Sequence, residues 1–177
     1  MLLDTFRQLV ANQYEAGFCV LAHCAARCPD ALWNAPVAKY PFSQVLFHTL
    51  FFADCYLGPD EESLSRQPFH LENRELFADY EQLQDREPTA LYTRGQIALY
   101  LDFCRRKAAT ILDEESEQTL CAPTRFPRRN FSRAELHLYN IRHIQYHGAQ
   151  LTLRLRLDTD VDIPWIGSGW RDPGGSP

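Results

Sequence analysis

In the stretch RHIQYHGAQLTLRLRL, residues 142–157, His143 and His147 stand four positions apart. On an α-helix that spacing puts both imidazoles on one face, with Cβ atoms about 5–6 Å apart. Two rings so placed can offer nitrogens to one divalent metal at ~2.0–2.1 Å, but two ligands from one helix are too few. The candidate for the third is His48, in PFSQVLFHTLFFADCYLG, on the stripe Val45, His48/Thr49, Phe52, Tyr56 that must face inward. A three-histidine shell leaves a coordination position open. That position can lower the pKa of a bound water toward ~7 or hold a thiol as thiolate. The commoner fate of a core histidine is an ordinary hydrogen bond, so the metal reading depends on all three rings converging.

Around these three, Asn140 lies one turn before His143 and Gln150 about one turn after His147. Both are candidates to hydrogen-bond a ligand or substrate. Arg142 is a candidate for an anionic substrate at the mouth, and Tyr146 and Asp54 are weaker ones. No residue stands out as a catalytic acid or base. The chain lacks the Glu-x-x-His of ferritin-type di-iron sites and the H-E-x-x-H of zincin proteases, since Gln145 and Tyr146 are not carboxylates. His137, six residues before His143, is turned about 120° away on the helix. His70 sits in the polar stretch RQPFHLEN, and His23 adjoins Cys24, which with Cys28 reads as buried small residues.

Four segments with helical periodicity are expected to position these groups: about Asp4 to Ala26, Phe42 to Leu57, Pro88 to Asp113, and Ser132 to Arg156. Pro29 stops the first, Gly58-Pro59 the second, and Pro88-Thr89 suits the start of the third. Ser132 and Glu135 form a capping-box pattern at the start of the fourth. Between the second and third lies an acidic, polar region, residues 60–87, with one short helical turn expected near Glu72 to Leu83. With no strand signal, the pattern is that of an all-α four-helix bundle over residues 1–157, with a loop or tail at 158–177 that Trp165 and Trp170 can pin. The second segment is apolar all round, which marks it as central or as covered by a partner copy.

The chain has 177 residues, 45% hydrophobic and 23% charged, with a formal net charge of -5. That balance disfavours nucleic acid and anionic membrane as partners. No apolar run approaches the ~20 residues of a membrane span, and MLLDTFRQLV has no basic region before an apolar core. A cytoplasmic protein with six free cysteines is expected.

The histidine in FHTLFFADCYLG, followed much later by RHIQYHGAQL, resembles the DinB/YfiT-like superfamily of small four-helix bundles, many of them metalloenzymes. The H-x-x-x-H followed by a small residue and Gln-Leu is the most recognisable stretch of that family, and the likeness runs from the first helix to about residue 157. The resemblance implies His48, His143 and His147 as a divalent-metal site, zinc or nickel, with open positions. It also implies long crossover loops and a homodimer. Some relatives are transferases that use a low-molecular-weight thiol, but no thiol-recognition signature is visible here, so the substrate does not transfer. The expected function is metal-dependent transfer or hydrolysis of a small molecule. The alternative is a non-catalytic dimeric bundle with a structural metal or histidine network. Gly148 costs its helix ~1 kcal/mol relative to alanine; its expected role is to leave room beside His147 for a neighbouring helix or substrate.

Overall fold

The computed structural model describes residues 2–80, 86–127 and 129–171, and it is mostly helical. Four long helices dominate: α1 (Leu2–Arg27), α3 (Phe42–Leu57), α7 (Arg94–Glu114) and α9 (Arg133–Thr159). The short helices are α2 (Asp30–Trp33), α4 (Glu62–Arg66), α5 (Pro68–Glu72), α6 (Arg74–Phe77) and α8 (Glu117–Cys121). Helix α3 packs on α9 and α7, and α1 packs on the same two. None of the described helices is long and apolar enough to cross a membrane.

The apolar girth of α3 follows from its place. Leu46, Phe47 and Leu50 are fully buried, and so are Ala53 and Asp54 on its other sides. Phe47 stacks on Tyr92 at 3.8 Å between centroids and meets Tyr80 at 4.9 Å. The chain's own elements therefore cover α3, and its composition no longer calls for a partner copy. The helix ends at Gly58, where only glycine fits: a Cβ there would sit 2.5 Å from Ser63 Oγ and 3.1 Å from the Cys55 carbonyl oxygen.

Several sequence expectations are corrected. Helix α7 starts at Arg94, not at Pro88. The amides of Thr89 and Ala90, which a first turn would leave unpaired, instead donate to Asp79 Oδ2 at 2.7 and 2.8 Å. Thr93 then caps α7, accepting from the Gln96 amide while the Gln96 side chain accepts from the Thr93 amide. At α9 only the serine half of the expected box forms, with Ser132 Oγ accepting from the Glu135 amide at 3.2 Å. Strands do occur: β1 (Pro36–Val37) and β2 (Tyr40–Pro41) pair antiparallel, with Ala38 at φ 55° in the turn.

The region after α3 is helical in three pieces and anchors itself by burying Leu64, Leu76 and Phe77. Of the turn expected near Glu72 to Leu83, residues 81–83 lie outside the described residues. In the tail, Trp170 lies under the Arg105 guanidinium at 3.4 Å while Trp165 is 87% exposed, so only the former pins it. The tail residues 172–177 also lie outside the described residues. All six cysteines are free, five of them buried.

Gly148 makes room for a helix. A Cβ there would lie 3.3 Å from Val20 Cγ1 and 3.8 Å from Leu21 Cδ2, both on α1. Gly17 does the same in return, since its Cβ would come within 2.9 Å of Ile144 Cγ2. The two glycines let α1 and α9 approach closely. Gly148→Leu is accordingly expected to cost about 1–3 kcal/mol by overpacking, read as a lower urea midpoint. Unchanged stability would make the glycine incidental.

Candidate metal centre

The three histidines come from two helices whose mutual register is fixed chemically. Arg133, the first residue of α9, donates to the carbonyls of Tyr56, Leu57 and Gly58 at 3.0, 2.7 and 2.8 Å. Those are the carbonyls a helix C-terminus leaves unpaired, where a cation is favoured. The same guanidinium donates to Glu115 Oε1 at 2.7 Å, and His137 Nε2 meets that oxygen at 3.1 Å. Burial opposes the charge on Glu115, yet bonds from His137, Arg133 and Thr119 hold its carboxyl at about 2. So the end of α3 is tied to the start of α9, and His137 serves that tie.

Two to four turns along, the imidazoles converge. Ring centroids are 4.7 Å apart for His143–His147, 4.9 Å for His48–His147 and 5.7 Å for His48–His143. One nitrogen from each lies within 4.8 Å of the others. Apolar and aromatic groups surround them: Phe52 is 4.8 Å from His48 and 5.8 Å from His143, ring to ring. Burial pushes His48 down to about 4, with His147 adding repulsion, and pushes His143 down to about 3. His147 is also lowered by burial, partly offset by its bond to Gln150. All three are neutral at pH 7, the state in which a histidine can ligate a metal.

The hydrogen bonds fit that use. His147 Nδ1 lies 3.0 Å from Gln150 Oε1. An amide oxygen only accepts, so Nδ1 carries the proton and Nε2 keeps its lone pair for a ligand. His143 Nδ1 is buried with no hydrogen-bonding partner among the described residues. A buried polar nitrogen left so is costly unless something else engages it, and a metal is one such partner.

His48 and His147 face a cavity of about 580 Å³. Its walls are largely apolar, from Val37 and Tyr40 of the hairpin, Val45 of α3, Tyr80, and Leu153 and Leu157 of α9. Gln150 and Tyr146 also line it. Asn140 does not: it is fully buried and donates to the Ala53 carbonyl at 2.9 Å, tying α9 to α3. Arg142 is exposed on another face of α9, because adjacent helical residues point about 100° apart.

Asp54 points toward α7, and His70 stacks on Phe77 at 4.1 Å between centroids. His23 is buried on α1. The sequence reading missed Tyr80, Lys39 and Arg154, which also line the cavity. Arg154 alone carried a local signal, seven residues after His147 on the same helical line. Comparison of the chain with protein-family models, with curated proteins and with solved structures finds no match.

Proposed function

We propose that this chain is a divalent-metal-dependent enzyme, a transferase or hydrolase acting on a small organic molecule, built as a four-helix bundle of the DinB/YfiT-like kind. His48, His143 and His147 would hold zinc or nickel. The observation that carries the reading is the convergence of three imidazoles from two helices, with ligand nitrogens within 4.8 Å of one another and two of the rings, His48 and His147, lining an apolar cavity.

Bound there, the metal would act as a Lewis acid and lower the pKa of a coordinated water or thiol. The protein's own part is derived from its residues. Gln150 orients His147, and largely apolar side chains line the cavity that His48 and His147 face. No carboxylate lines the cavity among its described residues, so a general base of that type is not at hand. Burial raises the pKa of the Tyr80 phenol, so it stays protonated and is no base either. An apolar cavity of this kind suits an organic co-substrate such as a low-molecular-weight thiol better than a highly hydrated one.

The competing reading, a structural metal in a non-catalytic bundle, wants a fourth protein ligand closing the shell. Among the described residues the cluster comprises three histidines, which favours the open, catalytic form.

The test is metal analysis. Protein purified without chelator is expected to carry about one divalent ion per chain, or to take up one zinc or nickel ion on titration. Folded protein that neither carries nor binds such an ion would overturn the proposal.

A further inference from the structure

The cavity lining follows α9 from His147 through Gln150, Leu153 and Arg154 to Leu157. Arg154 lies seven residues beyond His147, which places it about two turns, or ~10 Å, along the helix axis. The spacing His143, His147, Gln150, Arg154 keeps all four on one helical line. Leu153 lies between His147 and Arg154 on the helix, and Val45, Tyr80 and Leu157 add further apolar lining.

One arm of the Arg154 guanidinium is engaged, Nη2 meeting Asp158 Oδ2 at 2.7 Å. Its Nε is buried with no acceptor among the described residues. A guanidinium has five N–H donors in a planar fork that matches a carboxylate, so one salt bridge leaves capacity for a ligand. The cavity's other cation, Lys39, is paired with Glu87 at its exposed rim. Arg154 is thus a cation of the cavity lining, about two turns from His147, with donors beyond the one its salt bridge uses.

We propose that the cavity selects an elongated amphipathic substrate, an apolar body ending in a carboxylate, with the carboxylate held by Arg154 and the reacting end at His48 and His147. This deepens the metal-enzyme reading and rests on it only for the orientation of the reacting end. It assigns Arg154 the anion-binding role that the sequence suggested for Arg142.

The test uses octanoate and 1-octanol as probes, measured calorimetrically on metal-free and zinc-loaded protein, wild type and Arg154→Gln. Octanoate is expected to bind metal-free wild type on the order of tenfold more tightly than octanol, as a charge-assisted hydrogen bond should provide. Arg154→Gln should erase that preference, and Arg154→Lys should restore part of it. Circular dichroism and zinc stoichiometry should stay unchanged in both variants. Three results would overturn the assignment: no binding of either probe, equal binding of the two by wild type, or a preference that survives in Arg154→Gln. A preference seen only with zinc present would also do so, since the carboxylate would then sit on the metal. Failure of zinc uptake would sink the metal reading alone, because the metal-free arm reads Arg154 independently.

Discussion

Replacing His143 and His147 together with alanine is expected to abolish high-affinity zinc or nickel binding, leaving one of three ligands, while the helical circular dichroism stays intact. The physical reason lies in how the three rings are held. They are neutral, crowded by Phe52 and each other, and their chief tie to the fold is the bond from His147 to Gln150. Alanine at both positions removes partly buried polar rings beside a cavity that already exists, so little new packing is lost. Helix α9 keeps what fixes it: the Ser132 cap, the Arg133 tie to α3, and buried Leu136, Ile144, Leu151 and Leu155. In the same titration Gln150→Ala should weaken binding by about 10–100-fold, the usual effect of losing the group that orients a ligating histidine. If the double variant unfolds, the histidines are structural, and the alternative reading of a closed or purely packing role takes over. If it binds metal as tightly as wild type, the site lies elsewhere.

What the sequence made legible here is local. His143 and His147 are related by a spacing that any helix turns into a shared face, and His48 sits on an apolar stripe with only one inward direction. Those two facts locate the convergence before any packing is known. Arg142 and Arg154 show the limit. Both are arginines near the pair, but the helical angle alone separates them, 100° against one shared line, and choosing between them needs the direction in which the cavity extends. That direction is set by the hairpin at residues 36–41 and by Tyr80, from parts of the chain with no periodic signal. The start of α7 fails for a related reason. Proline suits an extended chain as well as a first helical turn, and Asp79, ten residues earlier, takes the amides of Thr89 and Ala90. The Thr93-x-x-Gln96 box was readable, but nothing local ranks it above Pro88. Trp165 and Trp170 likewise differ only in whether Arg105 lies opposite.

The largest effect on stability is expected from a residue that sequence reading has no means to single out. Lys107→Met should destabilise the fold by about 3–5 kcal/mol, the usual cost of leaving a buried charge without its partner. Asp54 is fully buried on α3, and Lys107 of α7 donates to its Oδ1 at 2.5 Å and to its backbone carbonyl at 3.1 Å. Tyr100 and Gln67 donate to Oδ2 at 2.9 and 2.7 Å, and Lys107 also donates to Gln67 Oε1 at 2.9 Å. Removing the cation keeps two neutral donors on a carboxylate that water cannot reach, which is why the penalty exceeds that of a surface pair. For a domain whose total stability is about 5–15 kcal/mol, such a loss moves the urea midpoint substantially. Adding Asp54→Asn to the same variant is expected to recover most of the loss, because the amide keeps an acceptor for Tyr100 and Gln67 but carries no charge. A loss under about 1 kcal/mol for Lys107→Met would mean that water or another group solvates Asp54. The pair also separates scaffold from site. Asp54 is six residues from His48 and points to α7, so folded Lys107→Met protein should bind zinc as wild type does. Weakened binding would show instead that the pair holds α3 in the position on which the three histidines depend.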